Sequence, residues 1–507
     1  QTYTFAHNVN ATTITLGSST SSKNATLATS ANIVITGSIV ASGNSSAPGT
    51  LDVNEDLVIT GTVGTSGAAI GDISIIADKT LTLKGTTYAA NITLESATQS
   101  TGANSTLAFN GTADIAYIVS GTIDGMNDGD GLIDINTGNV TFESKIGSGT
   151  QIAAINIASA SEMAIDQNIS ANETIVVLGT LDINGAVTIK VDDYSSTGYG
   201  LQIGNNSGTN GTLELSNTLT LSSDTVTSTG GGSVAAFNNA TIRLNGTHSS
   251  HATSANGYID IGSNNQTVTI QGNTTIDLDL TNTVITDGAT IVIVGRGDSE
   301  NSNGTLNVSG NVSFTGYQMF TLTTNNSTFT PGTSYTNGAS LNATVTYRTS
   351  SAMGFTGNTK TVYDSAKTAI AADTTVFQAL AGMTTDTALK NAIATMHPAT
   401  GGAASASASI SGSSMSTAST RMAYTRQVGL GKGMNAGSAT LDESMWVQIF
   451  GADVDQDNVG GVSGYDADGQ GLAIGIDGMS EDGTTRIGIA GSFANTDVSG
   501  KDSTTRT

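Results

Sequence analysis

From Gln1 to about Ser309, apolar side chains recur in one figure. The stretches "GTLDVNEDLVITG" from Gly49, "GTLDINGAVTIKV" from Gly179, "GTLELSNTLTLSS" from Gly211 and "GTLNVSGNVSFTG" from Gly304 each place them at the same relative positions. Leu51, Val53, Leu57 and Ile59 form one such set, and Leu306, Val308, Val312 and Phe314 another. Related pairs occur at Ile73/Ile75 with Leu81/Leu83, at Ile133/Ile135 with Val140/Phe142, and at Ile259/Ile261 with Val268/Ile270. Alternation within each half predicts two short strands around a polar corner, repeating about every 20 residues.

Short strands at this spacing, with Gly, Asn and Thr at the corners, predict a right-handed parallel β-helix, a β-solenoid whose inward side chains stack coil upon coil. Asn and Thr form ladders along such corners. Only 3 prolines occur, as expected where proline would remove a ladder donor. About 15 coils at ~4.8 Å each predict a rod of roughly 70 Å. The rival is an array of antiparallel sandwiches, for which the sequence offers no immunoglobulin-like landmarks.

The pattern then changes twice. Residues 316–350 gain aromatic side chains, Tyr317, Phe320, Phe329, Tyr335 and Tyr347, and 316–357 reads as a cap over the last coil. From Lys360 the spacing is helical, through "KTVYDSAKTAIAADTTVFQALAGM" and "TDTALKNAIATMHP" to Pro398. The next stretch, "TGGAASASASISGSSMSTASTRMAYTRQ", is almost entirely small residues, poor for an isolated helix and suited to a narrow polar tube. Near the end, Leu472, Ile474, Ile476, Ile487, Ile489 and Phe493 line one face of two strands, while Gly471, Ala473, Gly475, Gly488, Ala490 and Ser492 line the other. That alternation suits a membrane barrel with a crowded lumen.

Composition narrows the chemistry. Hydrophobic residues make up 37% and aromatic residues 5%, too thin for ordinary globular packing, which favours a core of many small repeated layers. The formal charge of −24 repels nucleic acid and anionic membrane surfaces. The chain has 0 cysteines, excluding disulfides and thiolate chemistry. It begins at Gln1 rather than Met, which fits a removed secretion signal. No apolar run reaches the ~20 residues of a membrane helix.

The helical linker with "GGAA" at 401–404 and "RMAYTR" at 421–426 is followed by "WVQIFG" at 446–451, "GYDADGQGLAIGID" at 464–477 and "RIGIAGSFANTDVSG" at 486–500. In this order the segments resemble the autotransporters of type V secretion, and among them the surface proteins similar to rickettsial outer-membrane protein B. The likeness is one of motif from about 380 to 507 and of architecture for 1–315. It implies an exported passenger over 1–315, an autochaperone-like cap over 316–357, a helical and barrel-threading linker over 358–440 that includes Arg421, Met422 and Arg426, and barrel strands within 441–507. The strands expected are Met445–Ala452, Gly469–Met479 and Arg486–Asn495. Such barrels are similar to closed sheets of about twelve strands, so the sequence reads as a fragment whose remaining barrel is not included, because an unclosed edge in lipid leaves backbone groups unpaired.

Other motifs are candidates. Arg296, Gly297 and Asp298 form the tripeptide that integrins read, with a plain solenoid turn as the alternative. Asp124, Asp128, Asp130 and Asp134 in "DGMNDGDGLID" offer oxygen ligands for calcium without the EF-hand spacing, against a solvated acidic loop. His248 and His251 lack a further metal ligand, and His397 lies in the linker, without the Asp-x-x-His of an esterase. Asp453, Asp455 and Asp457 read as an extracellular hairpin, and the sequons at Asn10, Asn24, Asn91, Asn139 and Asn168 are common wherever Asn and Thr abound.

The expectation is a non-enzymatic surface protein of a Gram-negative bacterium, an adhesin or coat, whose partners are its own outer-membrane barrel and assembly machinery. Self-association through the edge of Gln1–Leu16 into a filament or layer is the alternative. A third reading is a polysaccharide-acting enzyme using Asp277 and Asp279.

Overall fold

The computed structural model describes residues 1–17, 23–43, 48–97, 103–112, 115–192, 198–223, 233–245, 257–261, 266–279, 285–295, 305–315, 318–324, 333–336, 341–396, 400–430, 443–457, 464–480 and 484–501. The chain divides into two compact units, Gln1–Gly316 with Phe320–Tyr347, and Tyr317–Met319 with Arg348–Thr507.

The first unit is a three-sided parallel β-solenoid. One side is followed through register partners Val9, Ile35, Ile59, Leu83, Phe109, Ile135, Ile157, Val177, Ile203, Phe237, Ile270 and Val308, each paired in parallel with the next. A second side carries Leu27, Leu51, Ile73, Ile92, Ile123, Ile146, Ile169, Ile189 and Leu221. The third runs through Val119, Phe142, Ile165, Ile183, Leu215, Leu244 and Leu278. From Ile35 to Val308 every member of the first column is buried. Like side chains stack over like because a parallel ladder keeps register residue for residue, so each rung excludes water from the one below.

The interval between rungs corrects the expected period. Along the first column it is 20 to 26 residues up to Ile203 and 33 to 38 from Ile203 to Val308. Twelve rungs at ~4.8 Å give a stack of roughly 50 Å, shorter than the fifteen coils expected. Tight corners are held by glycine: a Cβ at Gly61 would lie 2.5 Å from the Gly37 backbone, and one at Gly85 would lie 2.7 Å from Gly61 O. Gly37 itself has φ +132°, open to glycine alone at little cost.

The ladder changes direction at its C-terminal end. Leu341–Tyr347 pairs antiparallel with Ala289–Gly295 and with Phe320–Thr324, and Thr333–Thr336 pairs antiparallel with Thr305–Val308. These strands cover an edge that would otherwise present unpaired backbone groups. Phe320 and Tyr347 pack with ring centroids 5.1 Å apart, and Tyr347 Oη donates to Ile285 O at 2.6 Å. Burial pushes the Tyr347 phenol up to about 12.

In the second unit, three short helices precede a long one. Helix α1 (Gly357–Ala372) ends at Asp373, whose carboxylate accepts from the amides of Thr375 and Val376 and so starts α2 (Thr374–Ala381). The segment expected as one helix is therefore two, because Asp373 favours a cap over a helix interior. Thr385 caps α3 (Asp386–Ala394). Tyr363, Phe377, Leu380, Leu389 and Ile393 are buried in this unit. Arg348 ties the start of the segment to Asp386 at 2.6 Å and to Gln318 O at 2.7 Å. Helix α4 spans Thr400–Leu430. It is followed by an antiparallel sheet of Glu443–Gln456, Tyr465–Met479 and Arg486–Gly500. These strands extend beyond the expected bounds, and Asp453 and Asp455 lie within the first strand rather than in a hairpin loop.

Candidate functional site

The two faces of the C-terminal sheet carry opposite chemistry. Register places Met445, Val447 and Ile449 opposite Ile476, Ile474 and Leu472, which in turn face Ile489, Gly491 and Phe493. These large side chains are exposed, Ile489 at 73% and Phe493 at 78%, forming an apolar band across all three strands. Farther along the same face come Gly451, Gln470 and Asn495, then Asp453, Asp468 and Asp497. An apolar outer belt ending in polar side chains is the signature of a wall in lipid. Among the described residues no helix is long and apolar enough to cross a membrane.

On the other face, against which α4 lies, the second and third strands present mostly small side chains. A Cβ at Gly471 would lie 2.4 Å from the Phe450 ring, and one at Gly475 2.5 Å from the Trp446 indole, so both glycines make room for an aromatic neighbour. Along α4, Ala406 packs with Ala467 and Val498, and Ile410 with Phe450 and Ala473. Gly469 leaves the space that Ile410 Cδ1 fills, 2.5 Å from its absent Cβ. Ser414 Oγ donates to Ser492 Oγ at 2.6 Å, and Thr417 is buried. A helix of tiny side chains is therefore held because the wall supplies contacts that its own propensity does not.

Arg421 closes this row. Its Nε donates to Asp477 Oδ2 at 3.0 Å, while Arg486 Nε donates to Asp477 Oδ1 at 2.8 Å. Met422, placed with it in the threading segment, is exposed, and the side chain of Arg426 lies outside the described residues. Asp477 was not singled out from sequence. Its signal is a charge at an inward position of an alternating strand whose inward residues from Ala467 to Gly475 are all Gly or Ala.

The remaining candidates fall elsewhere. Arg296, Gly297 and Asp298 lie outside the described residues, as do His248, His251 and His397. The four aspartates proposed for calcium are not brought together: no group of three or more acidic or histidine side chains able to hold a metal occurs among the described residues. Asp124 accepts from the Gly149 amide, Asp128 from the Gln151 amide, and Asp134 from Asn156 Nδ2. Asp130 is buried, with Oδ2 accepting from Asn127 N and Nδ2 and Oδ1 without a hydrogen-bond partner. The physical reason is that Asp124, Asp128 and Asp134 tie their turns to the next rung, while Asp130 closes its own turn. Of the proposed catalytic carboxylates, Asp277 accepts from Arg243 Nε at 3.2 Å.

A family model of the autotransporter β-domain matches residues 445–507. No curated protein and no solved structure matches the chain. The match falls on the strands whose outer face is apolar and whose inner face seats a helix, and it does not extend to the narrower rickettsial likeness. Behind its β-solenoid passenger the chain therefore carries the start of an autotransporter β-domain, which makes it an outer-membrane-anchored, surface-exposed product of type V secretion in a Gram-negative bacterium.

Proposed function

We propose that the exported solenoid is a non-enzymatic contact surface, acting as an adhesin or coat through many weak repeated contacts. The observation that carries this reading is the commitment of outward polar groups to neighbouring rungs. Asp182, Glu214, Arg243 and Asp277 are successive register partners on one side. Arg243 bridges Glu214 at 2.7 Å and Asp277 at 3.2 Å. Thr50 and Thr26, Asn91 and Asp72, and Asn156 and Asp134 are joined in the same way. A hydrolase working from this side would need a carboxylate free to take or give a proton, and Asp277 is held as a salt bridge. Such a ladder stiffens a face while leaving it polar along its length, which suits contact rather than turnover.

The test compares cells exporting the whole chain with cells exporting one that lacks residues 1–347, scored for retention on host cells and abiotic surfaces and for mutual aggregation. Retention or aggregation that depends on the solenoid supports the reading. Release of soluble sugar from a polysaccharide by the exporting cells, abolished by the deletion, contradicts it.

A further inference from the structure

We propose that Asp477 is the register pin of α4: held in place by Arg486, it selects Arg421 and so fixes how far the helix is drawn along the wall of the translocator. The argument begins with what α4 lacks. Between Thr400 and Leu430 its only formal charges are Arg421 and Arg426. The face it lays on the sheet up to Arg421 is Ala406, Ile410, Ser414 and Thr417, set against Ala467, Ala473, Ser492 and Val498, with Phe450 beside Ile410 and Tyr465 beside the Ala406 cluster. Small side chains on small side chains specify position weakly, because sliding one turn, about 5.4 Å, replaces each contact by another of nearly the same size. Ile410, seated against Phe450 in the space left by Gly469, is one exception, and Arg421 is the other.

Geometry makes the second exception the sharper one. The Asp477 side chain is only one-tenth exposed and receives two guanidinium groups. Arg486 comes from the next strand and aims the carboxylate inward, while Arg421 approaches from the helix through Nε at 3.0 Å and Nη2 at 3.4 Å. Around the pair, the space between helix and sheet opens to about 860 Å³, lined by Met422, Thr425, Trp446 and Thr484 among others. Packing does not hold the helix there, so the directional bonds do. One turn of slip carries Arg421 out of reach and presents Thr417 or Thr425 to Asp477, neither of which replaces the charge. Asp477 is thus a positioning residue, and nothing in the solenoid's surface role depends on it.

The chain's lack of cysteine allows a direct reading of register in the intact protein in outer membranes. Ser414→Cys with Ser492→Cys joins hydroxyl positions now 2.6 Å apart and is expected to form a disulfide on mild oxidation. Adding Arg421→Ala, which leaves the Asp477–Arg486 pair intact, is expected to lower the yield about fivefold and raise that of Ala418→Cys with Ser492→Cys, one turn along. Asp477→Asn is expected to act in the same way, and combining it with Arg421→Ala to add little. Unchanged yield at Ser414 in the Arg421→Ala protein, with heat-modifiable barrel mobility retained, overturns the proposal. So does failure of the parent pair to cross-link.

Discussion

In the solenoid, Leu51, Val53, Leu57 and Ile59 point into a dry interior and their neighbours face water; in the sheet Glu443–Gly500 the same alternation sends Ile474, Ile476 and Ile489 outward and leaves Gly471, Ala473 and Gly475 within. The period is identical and the polarity is inverted. What differs is the solvent on the outer face. Lipid accepts large aliphatic side chains, and a lumen that must seat a helix needs small ones on Tyr465–Met479 and Arg486–Gly500 to make room for it and for Trp446 and Phe450. The solenoid meets the opposite demand, because water on three sides forces its bulk inward.

One substitution placed in both regions separates them most strongly. Ile59→Asp puts an unpaired carboxylate in a dry stack and is expected to cost more than about 4 kcal/mol, leaving the exported passenger open to protease while the barrel strands still insert. Ile489→Asp is expected to leave the stack untouched and impair membrane insertion, read as lost heat-modifiable mobility. Truncation sharpens the contrast. Leu81→Ala is expected to destabilise the solenoid by about 2–5 kcal/mol in thermal denaturation, whereas Ile487→Ala, facing lipid, is expected to cost less than about 1 kcal/mol. Glycines give a smaller effect of the same kind. Gly61→Ala pushes its Cβ against the Gly37 backbone and is expected to cost about 1–3 kcal/mol, while Gly491→Ala, with nothing within 4 Å, is expected to be neutral.

The smallest expected effect is a pH dependence confined to the solenoid. Burial raises Asp182 above the ordinary value of 3.8 and Glu162 above 4.5, and the Glu214 charge adds to both. Asp52 is raised in the same way, by burial and by Asp72. A raised folded-state pKa means that the folded chain holds these protons more tightly than the unfolded one. Their contribution is full below the ordinary values and is lost as pH rises through the raised ones. Melting temperature in mild acid should therefore fall as pH approaches neutrality, and Asp182→Asn should flatten part of that slope.

Much of this was legible because hydrophobic alternation reports burial directly. All four quoted positions from Leu51 to Ile59 are fully buried, and the apolar outer positions from Leu472 to Phe493 are exposed. Coil length was less legible after Ile203, since residues added between rungs are polar and leave no mark on an apolar pattern. The barrel strands were read too short for a related reason: Asp453, Asp466, Asp468 and Asp497 continue the alternation past the apolar band, where only the backbone ladder records it. Helix α4 was readable as a tube filler but weak in propensity, because the wall that holds it lies up to 92 residues further along the chain, at Val498 against Ala406. The separate placement of Asp124, Asp128, Asp130 and Asp134 was not legible, because spacing along the sequence cannot tell whether carboxylates converge or bond apart.

Coil-over-coil stacking is tested most directly by register cross-linking between neighbouring rungs. Val58 pairs with Thr82, and Thr82 with Ala108, in successive parallel rungs. In the cysteine-free chain, Val58→Cys with Thr82→Cys, and Thr82→Cys with Ala108→Cys, are expected to form disulfides readily, while Val58→Cys with Ala108→Cys, two rungs apart, is expected to form none. Bonding absent from both adjacent pairs in the folded protein would contradict a parallel solenoid and return the chain to separate antiparallel sandwiches.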